Sequence, residues 1–182
     1  MRRADARFNR DRVMAAAREA FASAGLEVPM REVARRAGVG VATLYRHFPT
    51  RTELVAAVLA ERVDDCGVRM RRALDDPDPW RALSGVVREF AERQIHDREL
   101  NEVLLGPGEL GAAFQKERRE HAQALNVLVV RARAAGVLRD GVGADDVRAG
   151  LLAIASLRRL PATTSVRVIG LVADLVVAGI RA

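Results

Sequence analysis

Several side chains between positions 41 and 48 belong to types that can contact nucleic acid, and they fall within the length of a short helix. Thr43 and Tyr45 carry hydroxyl groups, His47 carries an imidazole, and Val41 carries methyl groups. Hydroxyl and imidazole groups can hydrogen-bond the edges of bases in a major groove, and a methyl group can contact thymine. The chemistry that this segment offers is therefore recognition of a grooved surface.

Positive charge surrounds the same segment. Arg46 and Arg51 lie at its end, and Arg31 lies on the segment before it. Arginine binds phosphate through charge and hydrogen bonds, so these residues can hold a nucleic-acid backbone while their neighbours contact bases. We therefore predict one contact set, which comprises Arg31, Val41, Ala42, Thr43, Tyr45, Arg46, His47 and Arg51.

The elements that must position these side chains are two short helices with a tight turn between them. Helical periodicity spans positions 30–37 and 41–48, and Gly38-Val39-Gly40 separates the two. This is the pattern of a helix-turn-helix, whose second helix enters a major groove. Leu44 and Phe48, four residues apart, would face the core.

Two of the predicted contact residues also allow other interpretations. Tyr45, taken alone, suits a core position as well as a groove. His47 could bind a metal ion, but a histidine with no second ligand nearby is more often a helix-terminal or phosphate partner. No metal site is therefore predicted.

The charge of the chain is concentrated near its start. Of 30 basic and 24 acidic residues, 11 arginines and five acidic residues lie within positions 1–51, so the remainder carries 19 of each. A basic head on a neutral body is typical of a domain that binds a polyanion, although a solubilising surface would have the same charge. Aromatic residues make up only 4%, which argues against base stacking with single strands. The expected partner is double-stranded DNA.

The same residues give this region a resemblance to the TetR family of bacterial transcriptional regulators. Positions 30–39 (MREVARRAGV) resemble that family's second helix and turn, and positions 43–51 (TLYRHFPTR) resemble its recognition helix and the start of its fourth helix. The resemblance implies that Thr43, Tyr45 and His47 contact bases and phosphates.

Other positions of the match carry implied roles or depart from the family. Arg51 stands where a lysine that holds a phosphate is commoner, so the charge is retained. Arg31 stands where a DNA contact is frequent. Gly40 and Pro29 replace hydroxyl residues, and Val41 can contact a thymine methyl group but cannot hydrogen-bond a base. The operator sequence therefore does not follow from these residues.

The whole chain is predicted to be all-α. Periodicity, proline and glycine define about nine helices, at roughly 10–24, 30–37, 41–48, 51–74, 80–96, 101–105, 111–135, 145–160 and 164–180. Thr50 and Glu53 form a capping box at the start of the fourth. We divide the chain there into a helix-turn-helix DNA-binding domain, residues 1–50, and a helical domain for effector binding and dimerisation, residues 51–182.

The body of the chain offers candidates for a ligand cavity. Positions 80–105 resemble the SbtR-like branch of the family, whose members hold a ligand within a helical bundle. The predicted lining comprises Cys66, Met70, Trp80, Phe90, Gln94, Phe114 and His121. Each of these residues, taken alone, is more often ordinary core packing. Together they would fit a mostly apolar small molecule with one or two polar anchors.

The last helix has a pattern that points to a second subunit. Between Ser165 and Ala182 the only charged residues are Arg167, Asp174 and Arg181, which are spaced by seven and form one narrow stripe. A helix that is apolar on most of its circumference must be covered on most of it, either by a second copy of the chain or as a central core helix. The predicted homodimer interface comprises Leu151, Ile154, Leu157, Ile169, Val172, Val176 and Ile180.

Other function classes find little support in the residues. The chain lacks His-Glu-x-x-His and Gly-x-x-x-x-Gly-Lys motifs, so no enzyme and no cofactor are predicted. Cys66 is the only cysteine, which excludes a disulfide framework. Asp174 interrupts the last helix, whose apolar stretch falls short of the ~20 residues of a membrane span. The charged start lacks a secretion signal, so we expect a cytoplasmic protein with no membrane contact.

Taken together, the sequence predicts a homodimeric DNA-binding transcriptional regulator. The main hypothesis is a repressor that a small-molecule ligand releases from a palindromic operator. An activator, or a regulator without a small-molecule effector, is the alternative.

Overall fold

The computed structural model describes residues 2–94, 112–157 and 162–182, and these residues form eight helices. The predicted all-α fold is confirmed, with eight helices in the described ranges rather than about nine. The predicted short helix at 101–105 lies outside the described residues. The helices are α1 (Arg2–Ala24), α2 (Met30–Ala37), α3 (Val41–His47), α4 (Arg51–Asp75), α5 (Pro79–Gln94), α6 (Gln115–Ala134), α7 (Ala144–Ser156) and α8 (Ala162–Ile180).

Helix α1 begins earlier than the sequence predicted. The prediction placed its start near Arg10, whereas the helix begins at Arg2. No proline or glycine lies between these positions, so nothing in the sequence breaks the helix there.

A first hydrophobic core joins α1, α2, α3 and the first half of α4. Leu44 of α3 and Leu54 of α4 are fully buried in it, together with Val13 of α1 and Val33 of α2. The core continues along α4 as far as Val63. The packing of the head therefore extends beyond residue 50, where the sequence placed the domain boundary.

The turn between α2 and α3 depends on one glycine. Gly38 has a φ of 62°, in the left-handed region that favours glycine. Its N–H donates to the carbonyl of Arg35 (3.1 Å), and the Val39 N–H donates to that of Ala34 (3.0 Å). A Cβ atom at this position would also lie 2.5 Å from the Arg12 guanidinium. The glycine thus fixes the angle between the two short helices.

Helix α4 connects the head to the rest of the chain. The predicted N-cap is confirmed, since the Glu53 N–H donates to the Thr50 hydroxyl oxygen at 3.1 Å. The last turns of α4, which include Met70 and Leu74, pack against a second core. One continuous helix therefore contributes to both cores.

The second core lies between α5, α6, α7 and α8. Leu83, Leu128, Ile154 and Ile169 are almost completely buried there, one from each helix. Arg131 of α6 donates to carbonyls at the end of α4, which docks these two helices.

The end of the chain is tied to the connection between α6 and α7. The Arg139 N–H donates to the Ile180 carbonyl at 2.9 Å, and the Ala182 N–H donates to the Val137 carbonyl at 3.2 Å. An isolated antiparallel bridge pairs Leu138 with Arg181. Across the three described ranges, none of the helices is long and apolar enough to cross a membrane.

Candidate functional site

Helix α3 presents its predicted contact residues on one exposed side. Val41 is 43% exposed and Tyr45 is 46% exposed, and Ala42 and Arg46 are also exposed. Thr43 and His47 are half-buried at the edges of this surface. Leu44 on the opposite side is fully buried, which anchors the helix by a single large side chain. Tyr45 therefore lies on the solvent side of α3 and outside the core.

The three arginines of the predicted contact set lie in different surroundings. Arg31 and Arg46 are exposed and form no hydrogen bond or ion pair with any residue in the described ranges. Arg51 instead donates to the carbonyl of Leu26, and its guanidinium lies 3.3 Å from the Glu27 carboxylate. Arg51 thus ties the start of α4 to the loop between α1 and α2, whereas the other two cations face solvent.

Glu32 reduces the positive charge on α2. Its carboxylate accepts two hydrogen bonds from Arg35 (2.8 and 2.7 Å) and one from Arg36 (2.8 Å). These bonds lower the pKa of Glu32 from 4.5 to about 2, with Arg35 as the largest cause and Arg36 as the second. The carboxylate therefore stays ionised at neutral pH and holds both arginines along the helix surface.

A cavity of about 130 Å³ lies in the body, between α4, α5, α6 and α7. Four of the predicted pocket residues line it: Cys66 and Met70 from α4, Phe90 from α5 and His121 from α6. Leu151, which the sequence assigned to the dimer interface, also lines this cavity. The structure thus brings one part of the predicted pocket together around a single space.

The other three predicted pocket residues lie elsewhere. Phe114 is buried in the first core, at the start of α6. Trp80 packs against the second core, and the Arg181 guanidinium lies 5.1 Å from the centre of its ring. Gln94 is only 1% exposed, and its side-chain amide has no hydrogen-bond partner among the described residues.

The cavity wall also contains charged residues that the sequence analysis missed. These are Arg69 on α4, Glu89 and Arg93 on α5, Arg118 on α6 and Arg148 on α7. A signal for three of them was present, because Arg69 follows Cys66, Arg93 follows Phe90 and Arg118 precedes His121 by three residues, which places each pair on one helix face. This pattern, in which a charged residue shares a helix face with a predicted pocket residue, could have predicted that these charged residues line the cavity.

Cys66 and His121 lie together in this wall and alter each other's pKa. Burial raises the pKa of the Cys66 thiol, but His121, Arg93 and Arg69 outweigh it and the net change is a lowering. Burial lowers the pKa of His121, but Cys66 and the Glu117 carbonyl outweigh it and raise the net value. The His121 Nδ1–H donates to that carbonyl at 2.7 Å, which leaves Nε2 available on the ring.

Most residues of the predicted dimer interface face the interior of their own subunit. Ile154, Ile169 and Ile180 are buried in the second core, and Leu157, Val172 and Val176 are half-buried against it. A Cβ atom added to Gly150 of α7 would lie 2.7 Å from Val176 Cγ1, so α7 and α8 approach closely at this point. Leu157, Val172 and Val176 are therefore the only members of the predicted set that are partly exposed in the subunit.

A different set of apolar residues on α7 and α8 is exposed. Leu171 and Leu175 of α8 are 52% and 61% exposed, and Leu152 of α7 is 44% exposed. Leu171 and Leu175 are one helical turn apart and thus share a face. Large exposed apolar side chains that recur on one face are typical of a surface covered by another chain.

The described residues contain no group of three or more metal-ligating side chains that could hold a metal ion. Neither His47 nor Cys66 belongs to such a group within the part of the chain that the structure covers.

Comparison with known proteins identifies the family. The sequence profile of bacterial regulatory proteins of the tetR family matches residues 13–58. The profile of the SbtR-like transcriptional regulator C-terminal domain matches residues 78–182, which is more than half of the chain. This chain belongs to the TetR family. The resemblance predicted for the head and for the SbtR-like body is thereby confirmed.

Relatives of this TetR-family chain are transcriptional regulators. A TetR transcription regulatory protein of Mycobacterium vanbaalenii is 35% identical, with 100% of both chains covered and a TM-score of 0.57. A TetR transcriptional regulator of Streptomyces coelicolor is 30% identical, with 94% of this chain and 98% of that chain covered and a TM-score of 0.59.

A curated relative matches a shorter stretch. The transcriptional activator FasR of Mycolicibacterium smegmatis is 36% identical over 92 residues, which are 50% of this chain and 42% of that protein. The match thus spans less than half the length of that curated relative. The chain is a DNA-binding transcriptional regulator of the TetR family, and its relatives are regulators rather than enzymes.

Proposed function

We propose that this chain is a cytoplasmic, homodimeric repressor that a small-molecule ligand releases from a palindromic DNA operator. In this proposal the exposed side of α3 enters a major groove. The α3 helices of two subunits occupy successive grooves about 34–36 Å apart, so the operator has the two-fold symmetry of the dimer. Tyr45, Thr43 and His47 contact bases, while Arg31 and Arg46 contact phosphates.

The observation that carries this proposal is the continuity of α4. Its first residues follow the recognition helix directly, its first half lies in the core of the head, and Cys66 and Met70 on its later turns line the cavity. A ligand that displaces α4 in the body would move the head on the same rigid element. The spacing of the two heads would then no longer match the spacing of the grooves.

The same argument limits what the ligand must do. A ligand shifts the protein between two conformations only through its different affinity for them. Release from DNA therefore requires tighter binding to the conformation whose heads do not fit the operator, and DNA weakens ligand binding by the same factor.

We propose further that the dimer forms through the exposed residues of α7 and α8. Leu152, Leu171 and Leu175 offer an apolar surface at the outside of the body. Burial of apolar surface is the main favourable contribution to such an interface. The residues predicted from the sequence would then support this surface from inside the subunit rather than contact the partner.

The test of the proposed function is a gel-shift titration with DNA from upstream of the chain's own gene, and with random DNA as the control, at several salt concentrations. We expect selective binding, together with a footprint of two-fold symmetry. Weak binding that is equal on both DNAs, with a steep salt dependence, would contradict specific regulation from that site. A footprint without two-fold symmetry would contradict the dimer.

A second candidate function is transcriptional activation, because the relative FasR is named as an activator. A regulator without an effector is the third. Transcription in vitro from the bound promoter distinguishes repression from activation by the direction of the change when the protein is added. Regulation without a ligand predicts that no small molecule raises the melting temperature by mass action.

A further inference from the structure

The wall of the body cavity carries an excess of positive charge. Three of the arginines that line it, Arg69, Arg93 and Arg148, already outnumber Glu89, the one acidic residue among the described lining residues. Two of these arginines are largely shielded from solvent, since the side chains of Arg69 and Arg93 are only 23% and 24% exposed. A low-dielectric wall strengthens the field of such charges inside a cavity. The space therefore favours a negative group.

Glu89 lies beside two of these arginines. Its Oε1 atom lies 2.9 Å from Arg69 Nε and 3.9 Å from Arg93 Nε. The Arg69 Nη2 atom is shielded from solvent and has no hydrogen-bond partner among the described residues. An unpaired buried donor is costly, so this atom favours a ligand that brings an acceptor.

His121 provides a second unsatisfied atom in the same wall. Its Nδ1–H is committed to the Glu117 carbonyl, while Nε2 is buried and has no hydrogen-bond partner within the described ranges. In the imidazolium form, Nε2–H is a donor as well. The nearby Cys66 thiol favours that form by raising the pKa of His121. Arg69 and His121 thus each bring one unpaired polar atom to the same cavity wall.

The remainder of the wall is apolar. Met70, Val86, Phe90, Leu125 and Leu151 form most of it. The cavity volume of about 130 Å³ is close to that of an engineered cavity of about 150 Å³ that holds one benzene molecule. A compact ring or a short alkyl chain would fill such a space.

We propose that this cavity binds an amphipathic organic anion, with its apolar body against Phe90 and Leu125 and its acidic head on Arg69 and His121. This inference rests on the proposed ligand-responsive function and names the chemical class of the ligand. A cationic ligand would face the excess of arginines, and a neutral one would bring no negative charge to balance the arginines that outnumber Glu89. A carboxylate supplies both the charge and the acceptors.

Three probes of equal chain length test this proposal. Octanoate, octanol and octylamine share the alkyl chain and differ in the charge of the head group. We expect isothermal titration calorimetry to show octanoate binding at least about tenfold tighter than octanol, since hydrogen bonds to charged groups are worth that factor or more, and no binding of octylamine. Octanol binding as tight as octanoate, octylamine binding, or no octanoate binding would each overturn the proposal.

Variants of the wall test which residues hold the head group. Arg69→Met should weaken octanoate binding about tenfold or more, whereas Arg72→Met, at an exposed arginine of the same helix, should leave it unchanged. Glu89→Gln should tighten octanoate binding, because it removes the carboxylate that competes for Arg69. Weaker octanoate binding by a folded Glu89→Gln protein would overturn this assignment.

Gel-shift titrations of the operator complex with the same three probes separate failure of this inference from failure of the proposed function. Octanoate that binds without weakening the operator complex would contradict ligand-released repression and leave the anion site intact. Operator release by octanol or octylamine, without an effect of octanoate, would support ligand release and overturn the anionic class.

Discussion

The head and the body of this chain are both built on a buried apolar core, but they direct their polar groups in opposite directions. In the head, the hydroxyl, imidazole and guanidinium groups of α3 lie at the outer surface, and Leu44 alone anchors that helix. In the body, Arg69 and His121 face a cavity inside the helical bundle. An apolar core thus supports polar groups at the outer surface of the head and polar groups around an internal cavity in the body.

Hydrogen bonding differs between the two regions in the same way. Within the described ranges, the buried side-chain atoms that lack a hydrogen-bond partner belong to Arg69, Gln94 and His121, all in the body. Buried polar atoms are normally paired, so unpaired ones need an explanation such as a missing ligand. Among the described residues, buried polar atoms without partners thus occur in the body and not in the head.

The largest expected effect is the loss of stability when a core leucine is truncated, and it would show whether the two cores unfold as one unit. Leu44→Ala in the head and Leu128→Ala in the body both remove a fully buried side chain, so each should lower the free energy of unfolding by about 2–5 kcal/mol. Because α4 belongs to both cores, we expect Leu44→Ala to destabilise the body too. Urea unfolding followed by circular dichroism and by the fluorescence of Trp80, the only tryptophan, measures both regions.

Coincident transitions of the two signals, both shifted to lower urea, are the expected result for Leu44→Ala. If the fluorescence midpoint of Trp80 stays at its wild-type value while circular dichroism reveals an earlier transition, the head unfolds alone. The two regions would then be independent domains, and α4 would not couple them.

The next prediction concerns the outer surface of the body. Leu175→Asp places a charge on the most exposed of the large apolar residues in the described part of α8. We expect the dissociation constant of the dimer to rise at least about a hundredfold, because the carboxylate would be buried without a partner. Sedimentation equilibrium measures this change, and thermal unfolding checks that the subunit remains folded.

Val127→Asp is the matched control for that substitution. Val127 is 47% exposed on α6, so the same charge is introduced at an exposed apolar position of a helix outside the proposed interface. We expect this variant to remain a dimer. A dimer that survives Leu175→Asp, or one that Val127→Asp dissociates, would remove α8 from the proposed interface.

The head and the body also differ in how well the sequence predicts which side chains are buried. The motif of the head defines the phase of α3, because Leu44 and Phe48, the residue that follows the helix, lie four apart on one face and both are buried. Helix α8 is apolar almost all round, so its sequence does not distinguish Ile169, which is buried, from Leu171, which is exposed. The choice is made by packing against α5 and α7, which is information from the whole fold.

The cavity illustrates a second limit of the sequence. Residue type alone selected Cys66, Met70, Phe90 and His121, and the structure brings these four together. Type alone could not select Arg69, since an arginine is usually exposed. Its place in the wall follows from the packing of α4 against α5, where Glu89 lies 2.9 Å away.

A smaller effect is expected at the outer surface of the head. Tyr45→Ala should weaken binding to the specific operator by about 1–3 kcal/mol, which is the usual contribution of one good base contact, and should change binding to random DNA much less. The half-exposed side chain of Tyr45 makes a large loss of stability unexpected. Gel-shift titrations with both DNAs measure the two affinities.

Arg46→Ala is the contrasting substitution on the same helix. Its exposed guanidinium should contact a phosphate, so its loss should weaken binding to all DNAs and reduce the salt slope by about one. Arg51→Ala should change the salt slope less, because that side chain is engaged with Leu26 and Glu27. Equal losses on specific and random DNA for Tyr45→Ala and Arg46→Ala would refute the division between base and phosphate contacts.

The smallest expected effect is the loss of stability at low pH, which we compare for one carboxylate in each region. Hydrogen bonds lower the pKa of Glu32 on α2 and that of Asp76 after α4 to about 2, the latter mainly through Arg81 and then through the Asp78 N–H. Each group thus stabilises the fold above its unfolded pKa of about 4, and that contribution is lost as the pH falls through about 2. Both carboxylates are half-buried at the protein surface, and their main arginine partners are exposed to solvent, so screening should keep the loss small.

Carbon-13 NMR titration of the two carboxyl groups checks this assignment. Arg81→Met should raise the pKa of Asp76 toward its ordinary 3.8 and leave that of Glu32 near 2, because the two sites share no partner. Arg35→Met should raise the pKa of Glu32 only in part, since Arg36 still donates to the same carboxylate. If the pKa of Asp76 stays near 2 in Arg81→Met, the backbone N–H of Asp78 must be the stronger partner, and the end of α4 would be held by its own turn rather than by α5.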